Sequence, residues 1–337
     1  MRKPFYVKRT KAWYVWHSGR QIRLDSDKET AFRKYHELKA SEAPVSATDT
    51  VATLANTYLE WCRNNRGEGT YQNSRRTLSL FIKHVGSSLV VSQLKPMHVT
   101  NWLADQPGWG PTTQNRSIRI VKRVFNWAIN EGRLDRNPLA GLACPKARRR
   151  EHAITSEQHA QVLAEVKDQA FRDYLVFLYE TGARPQEARI IEAQHCQLDA
   201  ERIVLPPSEA KGKQDYRVIY LTPAAAEIVT RLCKKHSDGP ILRTNRGSAW
   251  SKDSVNCRFT RLKEKLSKEK KTIKGLCATS WRHGFATEAL KRGVDPVTVS
   301  ILMGHKDTTM VARIYQHLAQ DASYLSKSLN RVRGPNG

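Results

Sequence analysis

The chain has 337 residues, of which 57 are Lys or Arg and 32 are Asp or Glu, a formal charge of +25 with a pI near 10. That excess calls for a polyanionic partner, while 39% hydrophobic content beside 26% charged residues belongs to folded domains rather than to a disordered basic tail. No apolar run approaches the ~18 residues of a membrane span, and none precedes a small-residue cleavage site. Six scattered cysteines show neither a CxxC pair nor zinc-ligand spacing. An intracellular protein with reduced thiols is expected.

The charge is spread along the whole chain. Residues 1–45 carry 11 basic against 5 acidic residues (+6), residues 46–150 carry 16 against 6 (+10), and residues 151–337 carry 30 against 21 (+9). Every segment therefore faces the same polyanion, and a wrapped nucleic acid fits best.

Phe5 to Arg9, Trp13 to Trp16 and Gln21 to Leu24 read as three short strands, with Ser18-Gly19 as a turn. Ser26 followed by Glu29 has the form of a capping box, and Ala31, Tyr35 and Leu38 continue at helical spacing. Ala40 to Ala47 reads as a linker.

Residues 50–142 look all-helical. Val51, Leu54, Ala55, Tyr58, Leu59 and Cys62 make one amphipathic stripe, and Leu78, Phe81, Ile82 and Val85 a second. Val99, Trp102 and Leu103 mark a third helix, and Ile118, Val121, Phe125, Ala128 and Ile129 a fourth. On the fourth, Arg116, Arg119 and Arg123 share a different face, which either lies along phosphates or is a solvated surface. With Arg75, Arg76 and Lys122, these are the candidate DNA-contacting cations of the segment. Pro145 to Arg150, with Arg148, Arg149 and Arg150, reads as a basic linker that itself crosses DNA.

From residue 151 the pattern is mixed α and β. Phe171 to Glu180 is a largely apolar helix stopped by Thr181-Gly182, and Pro185 suits the first position of the next, which puts Arg184 at a helix start. Arg202 to Leu205 and Arg217 to Leu221 read as strands joined by a loop that holds Lys211. The stretch Cys257 to Lys274 holds eight Lys or Arg and two Glu, a phosphate-binding or solvated surface. Thr279 to Thr287 opens a helix that ends near Gly293, with Thr279, Arg282 and His283 on one face. Pro296 to Met303 is a shorter helix with His305 on the turn that follows, and Tyr315 comes ten residues later.

The ordered succession Thr181-Gly182-Ala183-Arg184-Pro185-Gln186-Glu187-Ala188, a hairpin lysine, Arg282-His283-Gly284-Phe285-Ala286-Thr287, Leu302-Met303-Gly304-His305 and Tyr315 resembles the tyrosine recombinase (phage integrase) family. The resemblance implies a multidomain α+β chain. Residues 1–45 would form a small three-stranded β plus helix arm-binding-like domain, and 46–147 a helical core-binding domain. Residues 148–337 would form a mainly helical catalytic domain with a small antiparallel sheet and a C-terminal exchange helix.

It further implies that Arg184 and Arg282 grip the scissile phosphate, Lys211 protonates the leaving 5′-oxygen and His305 supports the phosphate or the proton transfer. Glu187 would brace the site, and Tyr315 would be the nucleophile of a 3′-phosphotyrosyl intermediate formed without metal, ATP or other cofactor. His283 belongs to the Arg-His pair and is structural. Thr279 stands where the family usually has histidine or lysine, which leaves the general base open among His305, water and the phosphate, and the interval from His305 to Tyr315 is one residue longer than usual. The stripe Leu318, Ala322, Leu325 and Leu329 packs on its own domain or on a neighbour; the resemblance favours the neighbour.

The implied activity is site-specific recombination or integration of double-stranded DNA by a homo-oligomer, a tetramer in the synaptic complex. Such a protein works in the cytoplasm, bacterial or phage-encoded, beside the nucleoid and without a membrane. A DNA-relaxing topoisomerase-like enzyme and a catalytically weak DNA-binding accessory protein of the same fold are the alternatives.

Overall fold

The aromatic and β-branched residues at the start of the chain form three antiparallel strands in the order β1 (Phe5–Val7), β2 (Ala12–His17) and β3 (Arg20–Asp25), followed by α1 (Lys28–Ser41). The computed structural model describes residues 3–17, 20–41, 49–147, 152–210 and 215–305, which fall within two compact units, 1–149 and 150–337. Strand β1 is shorter than the aromatic pattern predicts because a 3-10 turn over Lys8–Thr10 ends it, closed by Lys11 at φ 47°. Val15 and Leu24 meet Ala31 and Tyr35 of α1, with Trp13 and Ile22 packed beside them. The cap of α1 is Asp27 rather than Ser26. Its Oδ2 accepts from Thr30 N–H at 2.8 Å, and a carboxylate at the first turn also complements the helix dipole.

The rest of the first unit is helical: α2 (Val51–Asn65), α3 (Glu68–Val85), α4 (Pro96–Ala104) and α5 (Pro111–Asn130). Thr50 caps α2, and Pro96 and Pro111 occupy the first turns of α4 and α5, where a missing N–H costs nothing. The apolar stripes converge on Tyr58, Phe81, Trp102 and Phe125, all at most 1% exposed. Each such side chain contributes roughly 1.5–3 kcal/mol of hydrophobic stabilisation. After α5 the chain is tied back by side chains: Asn137 donates to Lys122 O and Asn126 Oδ1, and Asn115 donates to Pro145 O at 2.7 Å.

The second unit runs α6 (Ser156–Glu165), α7 (Gln169–Thr181), α8 (Pro185–Ala188), β4 (Cys196–Gln197), β5 (Arg202–Leu205), β6 (Arg217–Tyr220), α9 (Pro223–Lys235), α10 (Lys252–Lys268), α11 (Ala278–Lys291) and α12 (Pro296–Met303). The strands pair antiparallel in the order β4-β5-β6, with Val204 opposite Val218. Ile203, Leu205 and Ile219 face a core shared with Tyr174, Phe177, Leu178, Phe259 and Trp281.

A multidomain α+β chain with an N-terminal three-stranded sheet and a mainly helical second unit is therefore what the sequence predicts and what the fold is. Part of the basic stretch after Cys257 serves this unit itself. Arg258 pairs with Asp168, while Lys265 and Lys271 reach Glu165 at 2.7 and 2.8 Å and fasten the end of α10 to the end of α6. Among the described residues no helix is long and apolar enough to cross a membrane.

Candidate active site

Two turns and one helix of the second unit converge on one cluster. The first leaves α7, where Gly182 adopts φ +61° and its N–H reaches Leu178 O at 3.1 Å. Glycine is required there twice: the left-handed backbone disfavours a side chain, and a Cβ would lie 2.4 Å from Phe285 Cδ1. The chain then enters the single turn of α8. Arg184 N–H donates to Glu187 Oε2 at 2.9 Å, and Arg184 Nη1 to Glu187 Oε1 at 2.6 Å. One carboxylate thus holds both the backbone and the side chain of Arg184.

The second contribution is Arg282 on α11, which the helix presents inward, 8% exposed. Its Nη1 donates to Gly182 O at 2.7 Å, and its Nη2 to Met303 O at 2.7 Å and His305 Nε2 at 2.7 Å. A guanidinium has only donors, so His305 Nε2 accepts and the imidazole proton in this arrangement is on Nδ1. Close packing of α11 against the backbone at Ile154 depends on Gly284, where a Cβ would lie 2.5 Å from Ile154 O.

The other turn follows α12, capped by Gly304 at φ +62°. Arg184 Nη2 donates to Gly304 O at 2.9 Å, and His305 N–H to Ser300 O at 2.9 Å. Arg184, Glu187, Arg282 and His305 are therefore brought together in one cluster.

Arg217 joins them unforeseen. It stands at the start of β6, 5% exposed, with Nε 3.3 Å from Glu187 Oε2. The available signal was period-2 alternation: Arg217 shares its face with Ile219, a core position, so a basic residue there must find a buried acid.

The electrostatics follow from three guanidiniums around one carboxylate. Burial would raise the Glu187 carboxyl, but the charges of Arg217 and Arg184 and the hydrogen bonds from Arg184 leave it below its ordinary value. Arg282 is pulled down to about 9 by burial first and by the like charges of Arg184 and Arg217, and so stays protonated at neutral pH. Such a cluster is short of negative charge and suits an oxyanion with several acceptor oxygens.

Of the other expected residues in the second unit, Thr279 and His283 are described. Thr279 is exposed, its hydroxyl 3.1 Å from Cys277 Sγ. His283 is half-buried, and burial and then Arg282 lower its pKa. Lys211, Tyr315, Arg148, Arg149 and Arg150 lie outside the described residues, as does the stripe from Leu318 to Leu329.

In the first unit Arg116, Arg119 and Arg123 are exposed on α5. They line a groove of about 370 Å³ with Thr70, Asn73 and Asn115. Arg75 and Arg76 are exposed on α3. Lys122 does not join the row, because its ammonium is spent on Ala140 O at 2.9 Å and Leu142 O at 3.0 Å.

Residues 152–321 match the family model for the phage integrase family, half of the chain. The chain belongs to the phage integrase family. A tyrosine recombinase XerC from Rickettsia felis is 26% identical over 272 residues, covering 74% of this chain and 86% of the relative. Among solved structures, the Tn1549 transposon integrase in complex with transposon right end DNA superposes with a TM-score of 0.68 at 20% identity, covering 85% of this chain and 100% of that one. A lambda integrase dimer bound to a COC′ core site gives 0.65 at 14% identity, covering 92% and 93%. The phage integrase fold thus extends beyond the family-model match into the first unit of the chain.

Proposed function

We infer that the chain is a site-specific tyrosine recombinase that cleaves and rejoins DNA through a covalent 3′-phosphotyrosyl intermediate. The excess of buried positive charge carries the reading: Arg184, Arg217 and Arg282 face a single carboxylate, and Arg184, with 21% of its side chain exposed, opens the cluster to a ligand. A phosphodiester under attack gathers charge on its non-bridging oxygens. Two guanidiniums already fixed by Glu187, Gly182 O, Met303 O and Gly304 O can meet that charge without reorganising.

Tyr315 Oη attacks the phosphorus, a 3′-phosphotyrosyl ester forms, the P–O5′ bond breaks, and Lys211 delivers the proton to the departing 5′-oxygen. Both residues are assigned from their places in the family motifs. His305 takes or relays the tyrosine proton at Nε2 once Arg282 Nη2 turns from it to the phosphate, and a 5′-hydroxyl from another strand reverses the step. No net bond energy is lost, so strand exchange needs no nucleotide hydrolysis.

In this reading residues 1–45 bind arm DNA, 46–147 clamp the core site through the row Arg116, Arg119 and Arg123 with Arg75 and Arg76, and 148–337 perform the chemistry. The basic linker Arg148 to Arg150 crosses the duplex. Protomers assemble as a homo-oligomer on double-stranded DNA, a tetramer at synapsis, acting on nucleoid DNA in the cytoplasm. The solved relative bound as a dimer to its core site supports assembly on DNA.

The test uses a nicked suicide duplex that carries the chain's own site, obtained by selecting bound sequences from a random pool. Wild type should leave a denaturation-resistant protein–DNA adduct and Tyr315→Phe none. An adduct from Tyr315→Phe would displace Tyr315 as nucleophile, and no adduct from wild type would favour the accessory-protein alternative.

A further inference from the structure

Arg217 takes no part in the phosphate chemistry just described, yet it is among the most buried charges of the second unit, 5% exposed on an inward position of β6. Isolated buried cations are strongly disfavoured, so its placement needs a compensating contact, and that contact is Glu187 at 3.3 Å. Glu187 is itself 2% exposed and uses its other oxygen on Arg184 Nη1 at 2.6 Å. Arg217 also lies against the turn after α12. A Cβ added to Gly304 would fall 2.7 Å from Arg217 Cδ and Nε, so the turn before His305 rests directly on the Arg217 side chain. Its Nη1 donates to Val218 O, and among the described residues its buried Nη2 has no hydrogen-bond partner. The residue is thus held by one carboxylate on one side and one glycine turn on the other, and both carry groups that position Arg184.

We propose that Arg217 is a positioning residue for strand cleavage, which keeps Glu187 ionised and the Met303-Gly304-His305 turn in place so that Arg184 and His305 meet the phosphate correctly. This rests on the recombinase reading. Removing Arg217 leaves burial of Glu187 opposed chiefly by Arg184, so the carboxyl takes a proton at higher pH and releases Arg184 Nη1 and N–H. Among the described residues, the charged and titratable groups around Glu187 are Arg184 at the start of α8, Arg217 on β6, Arg282 on α11 and, through Arg282, His305 after α12. Imidazoles in general ionise near the acid end of this range, so a pH shift must be shown to depend on Glu187.

The experiment measures single-turnover adduct formation on the nicked duplex from pH 5 to 9, beside non-covalent DNA affinity, for wild type, Arg217→Met, Arg217→Lys, Glu187→Gln and Glu187→Gln/Arg217→Met. Arg217→Met should cleave about tenfold to a hundredfold more slowly, as expected for displaced catalytic groups, with affinity within about threefold and the acid limb of its profile moved to higher pH. Arg217→Lys keeps the buried charge and should restore much of the rate and the wild-type acid limb. In the Glu187→Gln background, Arg217→Met should cost less than about threefold, the non-additivity expected of residues acting as one unit.

Wild-type cleavage by Arg217→Met overturns the proposal. So does an equal loss from Arg217→Met with and without Glu187, or an acid limb unmoved in both single variants. If Arg217→Met does not fold, Arg217→Lys decides: cleavage as slow as Glu187→Gln with an unmoved acid limb counts against the proposal, and near-wild-type cleavage supports it. Absence of an adduct from wild type would instead reject the recombinase reading on which the proposal stands.

Discussion

Gly182 and Phe285 meet across the gap between the turn after α7 and helix α11, so closely that a single added carbon on Gly182 would lie 2.4 Å from the Phe285 ring. The same turn gives Gly182 O to Arg282, three residues before Phe285 on that helix. Packing and hydrogen bonding therefore lock the turn that leads to Arg184 against the helix that carries Arg282.

Gly182→Ala should accordingly damage both stability and cleavage. A left-handed residue costs a non-glycine ~1–2 kcal/mol and an overpacked contact ~1–3 kcal/mol, about 3 kcal/mol together. For a unit of this size that is a fall of roughly 6–12 °C in Tm, read by calorimetry. Adding Phe285→Leu should recover part of the loss by relieving the overlap but not the backbone strain. An unchanged Tm for Gly182→Ala would mean that the contact is not tight.

Arg282→Lys tests the site without changing its formal charge. An ammonium is a point donor on a flexible stem and cannot reach Gly182 O, Met303 O and His305 Nε2 from one plane, as the guanidinium does. Adduct formation should fall by about 10²–10³, the range for loss of one preorganised anion-stabilising donor, with DNA affinity little altered. Equal rates for the two enzymes would show that charge alone suffices.

The second unit should also lose stability in mild acid for a reason unrelated to the active site. His159 accepts from Trp281 Nε1 at 3.0 Å and stacks on Tyr179 with ring centroids 3.9 Å apart. Burial first, then Arg172, brings its pKa from 6.5 down to about 4. Between those values the unfolded chain binds a proton that the folded chain does not, so stability rises with pH across this window. The full contribution, up to ~3 kcal/mol, is present above pH 6.5 and lost as pH falls towards 4. Chemical denaturation at pH 7, 5.5 and 4.5 should show this decline, and His159→Gln should flatten it. A parallel decline in His159→Gln would place its origin elsewhere.

The legible parts of this chain were those with local chemistry. Gly182 and Gly304 announce left-handed caps, Pro185 and Pro296 announce first turns, and so the turns that carry Arg184 and His305 could be placed from sequence. What stayed hidden depended on partners distant along the chain. Arg217 reads as an ordinary strand arginine until Glu187, 30 residues earlier, is seen beside it. Lys265 and Lys271 read as surface charge until Glu165 closes on them. Ser26 and Asp27 both have capping side chains, and only backbone geometry selects Asp27.

Lys122 provides the sharpest contrast with its neighbours on α5. Arg116, Arg119 and Arg123 are exposed along one groove, whereas the Lys122 ammonium donates to Ala140 O and Leu142 O and holds the segment after α5 in place. If the row lies on phosphates, each of Arg116→Ala, Arg119→Ala and Arg123→Ala should weaken DNA binding and reduce the slope of log K against log salt by about one, with Tm nearly unchanged. Lys122→Ala should do the reverse: it lowers the stability of the helical segment by about 1–2 kcal/mol through lost charge-assisted hydrogen bonds and leaves the salt slope as it was. Fluorescence anisotropy over a salt series, beside thermal melts of the same four variants, separates the two outcomes. A shallower slope for Lys122→Ala would return that residue to the DNA surface, and unchanged slopes for all three arginine variants would remove the groove from it.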